Sequence, residues 1–249
     1  MILAIETATR QMGIAAIDGE RVLASYELLA ENPHAVELPD AVTRVLKAAH
    51  TTLAQVKGIV VDIGPGSFTG LRIGLAFVKA LVFPTQIPLV GVPSLDVLAS
   101  NLPFTSRPVC PVLDAKQKNV YAALYRPQKG GLKKASDYFL GPIDDFLGTV
   151  NPALSEKGGV KEPTIFLGDG CSLYRERILE RCPEAQFASQ EFWLPKAATL
   201  ARLGAQRLKK GALDDPSRLV PMYLYPLDCS VRGPDRPTSV LRPSTARSS

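Results

Sequence analysis

Between Gly58 and Phe83 the sequence runs from an almost unbroken apolar stretch, Gly58 to Ile63, through Gly64-Pro65-Gly66-Ser67-Phe68-Thr69-Gly70, into a helical pattern that continues from Gly70 to Phe83. A strand apolar on both faces must be covered on both faces, which points to an α/β architecture. The turn joining it to the helix places backbone N–H groups at the positive end of a helix dipole, the recipe for an anion cradle. A tight connection capped by the hydroxyl of Ser67 or Thr69 satisfies the same pattern without any ligand. Two other motifs are excluded by spacing. A Walker A loop needs GxxxxGK[ST], and no lysine stands where one is required. In Gly66-Ser67-Phe68-Thr69-Gly70 the serine directly follows the first glycine, so this is not a GxSxG nucleophile elbow.

The flanking segments extend the α/β pattern. Ile2 to Glu6, Met12 to Ile17 and Arg21 to Leu28 form a meander of three strands. Leu38, Val42, Val45, Leu46 and Ala49 recur at helical spacing over Glu37 to His50, and Pro84 is expected to stop the helix after the glycine turn. A strand at Pro88 to Val92 and a helix from Ser94 lead to the proline-rich stretch Pro103 to Pro108, the expected crossing into a second lobe. There the theme returns: strands at Val109 to Asp114, Val120 to Arg126 and Leu132 to Leu140, helices at Asp144 to Val150 and Leu173 to Arg181, and a strand at Thr164 to Leu167. The expected organisation is a duplicated mixed sheet with flanking helices and a cleft between lobes at residues 1–104 and 105–195. The helix from Lys196 to Lys210 can pack back on either lobe. Residues 227–249, with Arg232, Arg236, Arg242 and Arg247 in a Pro/Ser-rich context, form a tail that cannot build a core.

Composition narrows the class. Of 249 residues, 46% are hydrophobic and 21% charged, the balance of a folded globular protein. No unbroken apolar run is long enough to span a bilayer and the start lacks a secretion signal, so a cytoplasmic protein without membrane contact is expected. Cys110, Cys171, Cys182 and Cys229 form no CxxC pair and fit reduced thiols. A net charge of +5 spread along the chain is a solvated surface before it is an RNA-binding face. His34 and His50 stand 16 positions apart, so no HExxH or other close histidine pair exists to hold a metal.

The segments ILAIETAT, DIGPGSFTGLRIGLAFVKAL, IPLVGVPSL and LDAKQKNVYAALY resemble, in order and spacing, those of the bacterial TsaB family, strongly over residues 1–125 and more loosely through Tyr223. That resemblance implies the two-lobed actin-like ATPase (ribonuclease H-like) fold. It also implies a non-catalytic scaffold that activates a TsaD-like transferase in threonylcarbamoylation of tRNA, with a TsaE-like ATPase as a further partner, tRNA engaged through the complex, and a homodimer as an alternative assembly. TsaD-like proteins hold a metal with an HxxxH pair on the helix following a Gly-Val strand end, and here Ser94 and Leu98 occupy those places. A glycoprotease-like metallopeptidase is thereby disfavoured, and a kinase of the same fold would need tight Mg-ATP binding.

Acidic residues at comparable strand ends of the superfamily handle nucleotide-bound magnesium, and Glu6, Asp62, Asp114 and Asp169 fall at or near strand ends here. No cofactor is expected on the chain alone. A residual nucleotide site would draw on Thr7, Gly64, Gly66, Ser67, Asp114, Gly168, Asp169 and Gly170. On the helix after the glycine turn, Leu71, Leu75, Val78 and Val82 make one apolar stripe and Ile73, Phe77 and Leu81 a second, more than one sheet face can cover. In TsaB-like proteins this helix and the preceding one pack against the same helices of TsaD or of a second TsaB, which nominates Val42, Val45, Leu71, Leu75, Val78 and Val82 as the contact. Tyr223-Leu224-Tyr225 departs from the Tyr-Leu-Arg usual near the family's end.

Overall fold

The computed structural model describes residues 1–29, 34–150 and 163–224. The first half contains strands β1 (Ile2–Glu6), β2 (Gln11–Asp18) and β3 (Arg21–Leu29), helix α1 (His34–Ala48), strand β4 (Ile59–Asp62), helix α2 (Phe68–Thr85), strand β5 (Leu89–Val92) and helix α3 (Ser94–Ser100). Its sheet has the order β3-β2-β1-β4-β5, antiparallel through the hairpins and parallel where β1 meets β4 and β4 meets β5.

The second half contains β6 (Val109–Lys116), β7 (Asn119–Ala122), β8 (Tyr125–Gln128), β9 (Gly131–Lys134), β10 (Phe139–Pro142), α4 (Ile143–Val150), β11 (Ile165–Leu167), α5 (Gly170–Arg181) and β12 (Gln186–Phe187). Its main path, β10-β7-β6-β11-β12, repeats the first sheet position by position, including the switch from antiparallel to parallel pairing at the first strand of the unit. The duplication that no sequence repeat announces is thus explicit in topology. Strands β8 and β9 form an appended hairpin on β6.

Both faces of the first sheet are covered, as the apolar β4 requires. On one face Leu3, Ile5, Met12 and Ile14 pack against Leu38, Val42 and Val45 of α1 and Leu75, Val78 and Val82 of α2. On the other, Ala4, Ile17, Val60 and Val90 meet Leu200, Ala201 and Ala205 of the last helix, α6 (Ala197–Lys209). This helix therefore returns to the first sheet. A Cβ on Gly204 would lie 2.2 Å from a methyl of Val60, so the approach of α6 depends on a residue without a side chain. In the second half, α4 and α5 cover one face, while Leu95, Leu98 and Ala99 of α3 pack on the other against Val109, Leu113 and Leu167.

Several boundaries differ from expectation. Pro84 lies within α2, which ends one residue later with Gln86 in a left-handed conformation; so near the terminus the ring removes one helical hydrogen bond and no more. Helix α1 begins at His34, upstream of Glu37, and tolerates Pro39. The expected strands Val120 to Arg126 and Leu132 to Leu140 each break in two, because β7 pairs with β10 whereas β8 pairs with β9. The bend is held by Leu124 N–H donating to Ser136 Oγ at 2.9 Å and Ala135 N–H donating to the Leu124 carbonyl at 2.7 Å. Helix α5 starts at Gly170, ahead of Leu173, and no disulfide occurs among the described residues. Cys229 and the expected tail at 227–249 lie outside the described residues.

Candidate functional site

Because β1 and β4 run parallel with Ile5 opposite Val61, their last residues, Glu6 and Asp62, emerge side by side. Both are buried, at 0% and 1% exposure. Glu6 Oε1 accepts the Ala8 N–H at 2.7 Å, and Asp62 Oδ1 accepts the Gly64 N–H at 2.7 Å and the Ser94 hydroxyl at 2.6 Å. The remaining oxygens, Glu6 Oε2 and Asp62 Oδ2, have no other donor among the described residues. A single proton between the two carboxyls satisfies both. Burial first, and the Asp62 charge second, hold Glu6 well above the usual carboxylate range, while burial raises Asp62. The pair therefore holds a proton at pH values where separate, solvated carboxyls have lost theirs.

The glycine turn lies above this pair. Ser67 N–H donates to the Ala8 carbonyl at 2.6 Å, Ser67 Oγ accepts from the Gly70 N–H at 3.2 Å, and the Gly64 carbonyl accepts from Ser94 N–H at 2.8 Å. A Cβ on Gly66 would fall 2.2 Å from the Ala8 oxygen, so this glycine permits contact between two stretches of backbone. Thr7 is buried, its hydroxyl unpartnered among the described residues and aimed at α2, where a Cβ on Gly74 would meet Thr7 Oγ1 at 2.1 Å.

The equivalent ends in the second half carry the other nominated residues. Gly168 has φ +108° and would place a Cβ 2.2 Å from the Val112 carbonyl; a Cβ on Gly170 would lie 2.8 Å from a Val112 methyl. Asp169 Oδ1 accepts the Asp114 N–H at 3.0 Å, while Asp114 accepts the Lys116 N–H at 2.9 Å and pairs with the Lys116 ammonium at 2.6 Å. Burial raises Asp169, and Arg10 of the first half lowers it across the cleft. The structure thus gathers the eight residues into two groups, Thr7, Gly64, Gly66 and Ser67 in one half and Asp114, Gly168, Asp169 and Gly170 in the other. These residues do not fit a phosphate cradle. Gly66, Gly168 and Gly170 are consumed by close packing of chain on chain, and the amides of Gly64, Ser67, Gly70 and Asp114 already donate within the protein.

Ser94 and Leu98, at the places where the resemblance puts the histidines of TsaD-like proteins, are both engaged within the fold. Ser94 is bound to Asp62, and Leu98 is fully buried against the second sheet. His34 is the first residue of α1, and His50 is exposed just past that helix with φ 51°.

The interface residues require correction. Val42, Val45, Leu71, Leu75, Val78 and Val82 are all at most 6% exposed and fill the protein's own interior, so a partner cannot reach them. The stripe left outward on α2 is the second one. Ile73, Phe77 and Leu81 are half-buried, and Phe68, Arg72, Ala76, Ala80 and Phe83 are exposed. At its N-terminal end the Arg72 guanidinium lies 3.7 Å from the Phe68 ring centroid and its Nε donates to the Tyr223 hydroxyl at 3.0 Å. By length and composition α2 could cross a membrane, yet one side of it is core, with Val78 wholly buried.

A relative from Bacillus subtilis, "tRNA threonylcarbamoyladenosine biosynthesis protein TsaB", is 33% identical over 226 residues, covering 90% of this chain and 93% of its own length. The chain belongs to the TsaB (YeaZ) family. The TsaB of Escherichia coli is 31% identical over 133 residues, 53% of this chain and 57% of its own. The solved structure of YeaZ from Pseudomonas aeruginosa superposes with a TM-score of 0.73 at 26% identity, covering 90% of this TsaB-family chain and 99% of that one. A family model described as "TsaD: tRNA N6-adenosine threonylcarbamoyltransferase" matches residues 28–227. The duplicated sheet is accordingly the fold of the solved YeaZ structure.

Proposed function

We propose that this TsaB-family chain serves threonylcarbamoyladenosine formation on tRNA as a cytoplasmic, non-catalytic subunit that docks on and activates a TsaD-like transferase. The observation that carries this reading is the outward side of α2, where Phe77 and Leu81 are half-covered and Phe68, Ala76, Ala80 and Phe83 are exposed along the length of the helix, with Arg72 and half-buried Lys79 among them. Small residues between aromatic ones let a second helix approach closely, and an apolar strip of this kind is costly to leave in water. The pathway comes from the relatives in Bacillus subtilis and Escherichia coli, both tRNA threonylcarbamoyladenosine biosynthesis proteins. The places of Ser94 and Leu98, engaged within the fold, favour a supporting role over transferase or peptidase chemistry. A TsaE-like ATPase completes the proposed assembly, tRNA is met through the complex, and a second copy of this chain is the competing occupant of α2.

The test is reconstitution. The purified chain alone is expected to yield no modified tRNA, and its addition to transferase, ATPase, threonylcarbamoyl donor and tRNA to restore product. Equal product with and without the chain would refute the proposal.

A further inference from the structure

The polypeptide crosses between the two sheets twice, at residues 101–108 and 193–196. Asn101 gathers both crossings, its Nδ2 donating to the carbonyls of Phe192 at 3.2 Å and Leu194 at 3.0 Å. Two stretches of chain held side by side make a hinge, and the angle between the halves is set by contacts away from that axis, the apolar packing of α3 on the second sheet among them.

Earlier on the same helix, α3, such a contact exists. Asp96 Oδ1 accepts two hydroxyls at once, from Tyr125 at 2.5 Å and from Tyr138 at 2.7 Å. Asp96 follows β5 of the first sheet, whereas Tyr125 lies on β8 and Tyr138 just before β10 of the second. Tyr125 is 3% exposed, and the Lys134 ammonium lies 3.4 Å from the Tyr138 ring centroid. Burial and the neighbouring Asp96 charge raise both phenols far above their ordinary range, so both remain donors. Two phenylalanines would fill the same volume; the hydroxyls add direction, since a charge-assisted hydrogen bond tolerates little displacement. The first residue of α3, Ser94, is meanwhile bound to Asp62 beneath the glycine turn.

We propose that Asp96, gripped by Tyr125 and Tyr138, is a latch that helps set the angle between the two sheets, and that breaking it lets the halves swing about the paired crossings. The latch uses side chains outside the α2 face and is independent of what docks there.

Spin labels introduced by non-cysteine chemistry at two exposed positions, Thr69 in the first turn of α2 and Gln117 on the β6–β7 turn, report the distance between the halves in the full chain. The wild-type protein is expected to give one narrow distance distribution. In Tyr125→Phe/Tyr138→Phe the distribution broadens or moves to longer distance while far-ultraviolet circular dichroism is retained. Tyr138→Phe alone, at a half-buried position, shifts it in the same direction and serves if the double variant does not fold. Val45→Ala, which loosens α1 on the face of the first sheet opposite α6, is the control for general destabilisation and leaves the distribution unchanged. A broad wild-type distribution, or an unmoved peak in a folded tyrosine variant, would overturn the latch.

Discussion

Glu6 and Asp62 show how far a fold can move a carboxyl group from its behaviour in water. In the unfolded chain Glu6 releases its proton near pH 4.3, whereas in the folded protein burial and Asp62 keep it protonated to much higher pH. The folded state then holds a proton that the unfolded state has lost, so this group's contribution to stability is complete below about pH 4 and declines as pH rises toward the folded-state value. Each unit of elevation corresponds to about 1.4 kcal/mol. Glu6→Gln keeps a donor toward Asp62 without a titratable proton. The variant is expected to gain stability relative to wild type between pH 5 and pH 8, roughly 1 kcal/mol or more, as read by urea denaturation at both values. An identical difference at the two pH values would show that no proton is shared. Gly66 makes a second prediction at this scale: with its Cβ position 2.2 Å from the Ala8 carbonyl, Gly66→Ala sets backbone against backbone and should cost about 1–3 kcal/mol. A thermal melt unchanged by Gly66→Ala would return the turn to the free-cradle reading.

Among the elements, α2 separates what sequence can express from what it cannot. Its two apolar stripes are legible in periodicity, as are β1, β4 and the turn, because local spacing produces them. Which stripe faces inward is decided by the sheet beneath it, and Leu71, Leu75, Val78 and Val82 proved to be the inward one. The broken strands around Leu124 were hidden for a related reason: a continuous β-prone run does not disclose that its two ends pair with different neighbours. Asp96, Tyr125 and Tyr138 carried no local signal at all, since long-range folding alone brings them together. The orientation of α2 makes two aspartates on one helix behave differently. Val78→Asp places an unpaired charge at a wholly buried site and should unfold the chain or cost about 3–5 kcal/mol. Phe83→Asp, at a position 52% exposed, should leave stability within about 1 kcal/mol while abolishing copurification with the transferase. If Phe83→Asp and a companion Ala76→Asp both copurify normally, the partner does not use this side of α2.

For the whole molecule, the remaining question is how a protein built from two open sheets avoids pairing through their edges. At β5, the end of the first sheet, the segment following α6 turns back along the strand: Asp214 N–H donates to the Leu89 carbonyl at 2.9 Å, and Asp214 Oδ2 accepts the Gly91 N–H at 2.8 Å. Arg207 donates to the Gly91 carbonyl and forms an ion pair with Asp214 at 3.3 Å, fastening the segment to α6. Farther along, Met222 N–H donates to the Ile63 carbonyl at 2.7 Å, which delivers Tyr223 to Phe68 and Arg72 at the start of α2. One short stretch of chain therefore protects a sheet edge and shapes one end of the exposed helix side. An uncovered edge strand is a template for another chain. Asp214→Ala leaves the Gly91 N–H without its acceptor and Arg207 without its counter-charge, which should cost about 1–3 kcal/mol. It should also cause concentration-dependent self-association in sedimentation velocity, through β5 and not through α2. Adding Phe83→Asp to Asp214→Ala distinguishes the two routes: association by the β5 edge persists in the double variant, whereas association by α2 disappears.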